Sequence, residues 1–353
     1  MRILGFFSIC ALLLVGCGNA KISWPSAKTE DLGKCVVNLY VENSGSMDGY
    51  MHDGFEFKDA VFGYITGVDR YVKDTRFFYI NSKIVPNNIP LENLSGSFSV
   101  DAFRAAGGDR SSTDLASMLK YILKKQDDRT VSVFVSDCIL SLPKGAARNY
   151  FVNNQISIEA IVSKKLKKQK DLTFVVYRLM SRFCGKFYNS KGSSDIDARR
   201  PYYVVLAGPR NLVSQLVRKV PLENVPNAKV TNMVAYTAKH IPVMTLTNST
   251  GRLFKDNKCT LLPEKGSDNY RIKILADLTS TFIDADTLVN GNLYKSSDRQ
   301  FKVEYVEKIK DPESPYTHIL TVSAPQAVQP TNERIRLEKP ATPVWIEQAN
   351  DDT

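Results

Sequence analysis

The chain has few of the residues and motifs that mark common catalytic and metal sites. It contains three His, and its six Cys form no Cys-x-x-Cys pair, which argues against a His-rich or zinc site. It has no Walker loop, no dinucleotide-binding glycine fingerprint and no Gly-x-Ser-x-Gly elbow. The composition is 43% hydrophobic and 24% charged, which excludes a wholly disordered, collagen-like or coiled-coil chain.

The one long apolar run lies at the N-terminus. Residues 3–15, after Arg2, are almost wholly apolar, and this run is shorter than the roughly 20 residues that a membrane-spanning helix needs. It is typical of the central region of a signal peptide. The sequence Leu14-Val15-Gly16-Cys17 resembles a bacterial lipobox, which implies cleavage before Cys17 and a lipid anchor on this residue. The alternative is an ordinary signal peptide that contains a Cys.

The lipobox resemblance implies a location in the bacterial cell envelope. Gly18, rather than Asp, follows the lipid-attachment site Cys17, and by resemblance to lipoprotein sorting this favours the outer membrane. Beyond the signal, Cys35, Cys138, Cys184 and Cys259 could form two disulfides in three connectivities, or remain single buried thiols.

At roughly 150 residues per domain, a chain of 353 residues predicts about two domains. Strand and helix patterns alternate in the first half, whereas short alternating strand patterns dominate after about residue 220. The expected fold class is α/β, a doubly wound, mainly parallel sheet followed by a smaller antiparallel β module, with a sandwich as one form of that module. The predicted organisation is a signal peptide at 1–16, a tether at 17–32, the α/β domain at 33–222, the β module at 223–348 and a tail at 349–353.

The α/β pattern rests on a small set of apolar runs and stripes. The predicted strands are 36–41, 76–80, 83–85, 131–135, 172–177 and 202–207. The predicted helices are 57–72, 115–123, 156–166 and 212–217, the second of them with a cap from Ser112 and Thr113.

Oxygen-bearing side chains follow the predicted strands where an α/β sheet binds ligands. The first strand runs into Glu42, Ser44 and Ser46, and the strand at 131–135 is followed by Asp137. Thr113 stands at a predicted helix start. Ligands of open α/β sheets bind beyond the carboxyl ends of strands, and hard oxygen ligands suit Mg²⁺. The pattern therefore predicts a divalent-cation site, with Mg²⁺ first and Mn²⁺ or Ca²⁺ as alternatives.

This arrangement resembles a von Willebrand factor A domain with its metal-ion-dependent adhesion site. Ser44 and Ser46 match the two serines of the family's Asp-x-Ser-x-Ser motif, Thr113 matches its threonine, and Asp137 matches its later aspartate. The resemblance covers about residues 33–220. It implies that a metal held by these residues and Glu42 is completed by a carboxylate from a partner protein.

The chain departs from the family pattern at two positions. The first ligand position holds Glu42 instead of Asp, and Cys138 stands where the family frequently has Gly. A glutamate keeps the charge but reaches one methylene further, so the metal shifts or the carboxylate moves out of contact. The site therefore either binds metal with changed affinity or is degenerate.

The expected function is that of an envelope-anchored adhesion or binding lipoprotein, not an enzyme. Its expected contacts are a protein partner and the membrane, with no nucleic acid and no small-molecule cofactor. The alternatives are a structural scaffold with a degenerate metal site, or a metal-dependent hydrolase. The net charge of +10 permits binding to anionic surfaces. A lysine run at 164–170 is interpreted as a solvated helix face, with a contact for anionic lipid or for nucleic acid as the alternative.

Overall fold

A computed structural model describes most of the chain after residue 31. The described residues are 32–52, 55–111, 114–139, 147–189, 192–232, 243–246, 269–311, 314–325, 335–338 and 344–347. The predicted signal peptide, Cys17, Thr113, Cys259 and the predicted tail at 349–353 lie outside them.

The first unit is built on a mixed sheet of seven strands, in the order β3-β2-β1-β4-β6-β5-β7. Its strands are β1 (Val36–Glu42), β2 (Asp74–Ile80), β3 (Ile84–Asn87), β4 (Thr130–Ser136), β5 (Leu172–Asn189), β6 (Gly192–Pro209) and β7 (Lys229–Asn232). The central strands β1 and β4 are rich in valine and almost wholly buried, as expected for strands covered on both faces.

The expectation of a mainly parallel sheet is met only in part. β1 pairs in parallel with β2 and β4, whereas β6 runs antiparallel between β4 and β5. The reason is that β5 and β6 form one long hairpin, which pairs from Leu172↔Pro209 to Asn189↔Gly192. Two strands joined by such a short turn run antiparallel, because a parallel pair needs a long crossover connection between its strands. The sequence patterns at 172–177 and 202–207 marked only the inner parts of these strands.

Helices cover both faces of the sheet, as the doubly wound prediction requires. They are α1 (Phe55–Asp69), α2 (Val100–Ala105), α3 (Leu115–Lys125), α4 (Ala147–Lys168) and α5 (Arg210–Lys219). α1 and α5 bury Ile65 and Leu216 in the main core, while α3 and α4 cover the opposite face. The predicted cap of α3 is wrong, because the Asp114 carboxylate caps this helix by accepting a hydrogen bond from the Ser117 amide at 3.0 Å.

The second unit is an antiparallel β module, as predicted. A four-stranded sheet in the order β11-β12-β9-β8 shares one hydrophobic cluster with the two-stranded ladder β10-β13. The strands are β8 (Val243–Leu246), β9 (Asn269–Ala276), β10 (Tyr294–Ser296), β11 (Lys302–Lys308), β12 (His318–Pro325) and β13 (Ile335–Leu337), with short helices α6 (Ala285–Leu288) and α7 (Val344–Glu347). Turns of 3-10 helix occur at Leu32–Lys34, Gly45–Tyr50, Leu91–Ser97, Leu222–Asn224, Thr279–Thr281 and Gly291–Leu293.

The two units are joined by an apolar contact and an ion pair. Phe282, from the β module, is buried in the core of the α/β unit. Beside it, the Arg218 guanidinium lies 2.7 Å from the Asp277 carboxylate and 3.1 Å from the Pro315 carbonyl oxygen. The β module is thereby fixed against α5.

Candidate metal centre

Two buried carboxylates lie at the carboxyl ends of the neighbouring strands β1 and β4. Glu42 is the last residue of β1 and is fully buried, and Asp137 directly follows β4 and is 5% exposed. The parallel register Val41↔Val135 brings these strand ends level with each other. The Ser136 hydroxyl donates a hydrogen bond to the Glu42 carboxylate across the two strands.

Asp137 is poorly compensated for a buried acid. Its Oδ1 accepts a hydrogen bond from the Ile139 amide at 3.0 Å, while its Oδ2 is buried and has no hydrogen-bond partner among the described residues. Burial and the nearby charge of Glu42 raise the pKa of Asp137, and these effects outweigh the Ile139 amide, the Ser46 hydroxyl and the charge of Arg200, which lower it. A cation at this position would remove both penalties.

The loop after β1 brings the two predicted serines to the same place. The Ser44 and Ser46 hydroxyl oxygens are 2.9 Å apart, and both side chains are buried. Ser44 precedes the 3-10 turn Gly45–Tyr50, and Ser46 lies within it. Four of the five predicted metal ligands therefore lie at one edge of the sheet. The fifth, Thr113, lies outside the described residues.

Arg110 holds the serine loop in place. Its guanidinium donates to the carbonyl oxygens of Asn43, at 2.6 Å, and Ser44, at 3.3 Å, and forms an ion pair with Asp48. The Gly45 amide in turn donates to the Arg110 carbonyl oxygen at 2.9 Å. Asp48 is thus part of this clamp. The sequence offered no signal for this clamp, because its partners are more than 60 residues apart.

A second network fixes the backbone next to the clamp. The Asn43 side-chain amide donates to the Phe103 carbonyl oxygen and its oxygen accepts from the Asn81 amide, each at 2.9 Å. The Asn81 amide also donates to the Gly107 carbonyl oxygen at 2.8 Å. Gly108 needs to be glycine, since its φ is +85° and a Cβ there would lie 2.1 Å from the Asn81 side chain.

The outer part of the β5–β6 hairpin lies against the serine loop. A Cβ on Gly49 would lie 2.3 Å from the Phe183 ring, so this close contact requires glycine. Tyr50 packs edge-on to Phe183, with ring centroids 5.0 Å apart, and its hydroxyl donates to the Pro201 carbonyl oxygen at 2.6 Å. The hairpin therefore packs against the same loop that the Arg110 clamp holds.

Cys138 adopts a left-handed backbone conformation next to the site. Its φ is +56°, a region that favours glycine. Its amide donates to the Ser136 hydroxyl oxygen at 2.8 Å, and burial raises the pKa of its thiol to about 12. Cys35, Cys138 and Cys184 all carry free thiols, which favours the single-thiol alternative.

The donor set suits a hard cation better than a soft one. It offers two carboxylates and two hydroxyls, and Mg²⁺ prefers such oxygen ligands together with retained waters. Among the described residues, no three His, Cys, Asp or Glu side chains cluster as a metal site. The unpartnered Oδ2 of Asp137 nevertheless fits a cation held by acids and hydroxyls together.

The comparisons with known proteins leave the site to be judged on its geometry. No protein-family model, curated protein or solved structure matches the chain. Within the part of the chain that the structure describes, none of the helices has the length and apolar character needed to cross a membrane.

Proposed function

We propose that this protein is a lipid-anchored envelope protein that binds a partner protein through a divalent cation. The cation, Mg²⁺ in the first place, is held at the sheet edge by Glu42, Ser44, Ser46 and Asp137. Thr113 joins them by resemblance to von Willebrand A domains. A carboxylate of the partner completes the metal's coordination. In this proposal the protein acts by binding and not by catalysis.

One observation carries the proposal, namely the buried pair Glu42 and Asp137 beside two buried hydroxyls. Two neighbouring carboxylates repel each other and lose hydration on burial. The charge of Arg200 offsets this only in part, since the pKa of Asp137 is still raised, so the pair favours a proton or a cation there. The Asp137 Oδ2 without a partner is the atom best placed to take that cation. Glu42 ends β1 and Asp137 directly follows β4, so both acids lie at the edge of the sheet where ligands bind.

The α/β unit is proposed to be a variant of the von Willebrand A fold. The parallel group β2-β1-β4, the covering helices on both faces and the acids at the strand ends support this assignment. The antiparallel β6 between β4 and β5 is the main departure.

A second candidate function is a structural scaffold whose metal site has decayed. The Ser136 hydrogen bond to Glu42 favours it, because this bond satisfies the glutamate without a metal. If the protein is a scaffold, we expect it to bind no cation and to keep its partner in the presence of EDTA.

Calorimetric titration with Mg²⁺ and Mn²⁺ tests the proposal on the chain from residue 18 onward, which keeps every described residue. We expect saturable binding that is lost in Asp137→Ala and in the double variant Ser44→Ala/Ser46→Ala. Ser132→Ala is the matched control, since Ser132 is equally buried on β4 but donates to Gln126 Oε1 at 2.8 Å, away from the acids. Absence of binding at millimolar metal overturns the metal proposal.

Partner capture from envelope extract then tests the bridging step. We expect bound proteins to be released by EDTA and to be absent from the double serine variant. Capture that is unchanged by both treatments supports the scaffold alternative.

A further inference from the structure

The end of the α/β unit opposite the candidate metal centre gathers the starts of three strands and the ends of two helices. Val36, which begins β1, pairs with Asp74 of β2 and Thr130 of β4. The C-terminal turns of α3 and α4 meet there, since the Lys165 ammonium donates to the Gln126 carbonyl oxygen at 2.5 Å. We call this surface, formed by residues 32–36, 69–74, 124–130 and 164–171, the basic end.

The basic end concentrates the positive charge of the molecule. Its four segments carry eleven basic and five acidic residues, while the whole chain carries a net charge of +10. Most of these basic side chains are exposed to solvent. The exposed ones are Lys34, Arg70, Lys73, Lys124, Lys125, Arg129, Lys164, Lys167, Lys168 and Lys170. The charge comes from separate parts of the chain that the fold brings to one face.

The chain enters the described structure at this same end. Leu32, the first described residue, belongs to the 3-10 turn that leads into β1. Cys17 precedes Leu32 by 15 residues, and a fully extended chain of that length spans at most about 50 Å. A lipid on Cys17 would therefore keep the basic end within that distance of the bilayer.

We infer that the basic end docks on anionic phospholipid headgroups. The choice of a membrane as the partner rests on the lipid anchor of the proposed function, and the charge clustering is independent of it. Exposed lysines near an anionic bilayer gain Coulomb energy that falls off within a Debye length. Docking at this end would turn the edge with Ser44 and Asp137 away from the bilayer, because the seven residues of β1 separate the two ends by roughly 20 Å.

Vesicle sedimentation tests the inference without the lipid anchor. The chain from residue 18 onward is mixed, in EDTA, with phosphatidylcholine vesicles that contain either no phosphatidylglycerol or about 30 mol% of it. We expect binding to the anionic vesicles only, at about 0.02 M NaCl, and its loss at about 0.5 M NaCl. Since EDTA removes divalent metal, the outcome is independent of the metal proposal.

Two charge variants locate the contact. Replacing Lys164, Lys167, Lys168 and Lys170 with Gln should weaken binding to the anionic vesicles at least tenfold. The control replaces four exposed lysines of the β module with Gln, namely Lys295, Lys302, Lys308 and Lys310, and should weaken binding less than threefold. Thermal unfolding of both variants confirms that they fold.

Three results overturn the inference. They are no binding to the anionic vesicles at low salt, equal loss in the two variants, and tighter binding of a DNA duplex than of the vesicles through the same four lysines. The second would mean that net charge alone acts, and the third would assign the basic end to nucleic acid.

Discussion

The Ser136 hydroxyl donates a hydrogen bond to the Glu42 carboxylate across two neighbouring parallel strands. This bond joins the ends of β1 and β4 at the point where the acids of the candidate metal centre meet. It also gives Glu42 a partner that Asp137 Oδ2 lacks among the described residues. If the contribution of this hydrogen bond to stability changes when metal is added, the centre binds metal. If it does not change, the site has decayed.

Replacing Ser136 with Ala should destabilise the metal-free protein by about 1–3 kcal/mol, because a buried carboxylate loses a hydrogen-bond donor. Added Mg²⁺ should recover part of this loss if Glu42 binds the metal. Chemical denaturation with and without Mg²⁺ measures both effects. In the matched variant Ser132→Ala, the loss of stability should be the same with and without Mg²⁺. A Ser136→Ala loss that Mg²⁺ leaves unchanged would contradict a role for Glu42 as a ligand.

The metal-free protein should lose stability through Asp137 as the pH rises from about 4 to 7. The folded state raises the pKa of Asp137 to about 7, so between these pH values it binds a proton that the unfolded chain has released. The loss of stability grows as the pH rises through this range, because the folded state disfavours ionised Asp137 beside Glu42. Denaturation in EDTA at several pH values measures it, and the difference between the protein and Asp137→Asn isolates this residue. If the difference in stability between the protein and Asp137→Asn does not change with pH, Asp137 is ionised throughout this range.

Replacing Arg110 with Gln should weaken Mg²⁺ binding by roughly tenfold or more, since groups that orient metal ligands commonly contribute 10–100-fold to affinity. Arg110 holds the backbone of Asn43 and Ser44, whereas the Arg104 guanidinium lies 3.7 Å from the Asp48 carboxylate in an exposed position. Arg104→Gln is therefore the control and should bind Mg²⁺ normally. Calorimetry on both variants decides, and equal affinities would mean that the clamp does not position the serine loop.

Replacing Cys138 with Gly should stabilise the protein or leave it unchanged, because a left-handed conformation costs a residue with a Cβ about 1 kcal/mol. Cys138→Val should be clearly destabilising, since a branched side chain tolerates this conformation least. The thermal unfolding midpoints of the two variants, each compared with that of the unchanged protein, measure these effects. If glycine lowers the midpoint as much as valine does, packing of the Cys138 side chain matters more than backbone strain.

His318 should make the protein less stable as the pH falls from about 6.5 to 4. Burial, with a smaller effect of Lys308, lowers the pKa of His318 to about 4, although Asp277 opposes the shift. In this pH range the unfolded chain therefore binds a proton that the folded protein does not bind, and the free energy of unfolding falls by up to about 3 kcal/mol. This effect is opposite in sign to that of Asp137. Denaturation of His318→Gln should lack it, and an unchanged pH profile would assign the acid sensitivity elsewhere.

The sequence alone determined the elements and the chemistry of the candidate site. Valine-rich runs predicted β1 and β4 because strands buried on both faces need apolar residues throughout, and helical stripes predicted α1 and α3. Glu42, Ser44, Ser46 and Asp137 were found from their positions after these strands, since the sheet edge collects whatever follows parallel strands.

Only the tertiary structure decided what surrounds those residues. The antiparallel β6 depends on a long hairpin whose outer half carries a weak apolar alternation. The Arg110 clamp and the Asn43–Asn81 network join residues that are far apart in the chain. The basic end likewise arises because packing brings separate charged segments to one face. Local patterns specify local structure, whereas contacts between distant residues are set by how the elements pack.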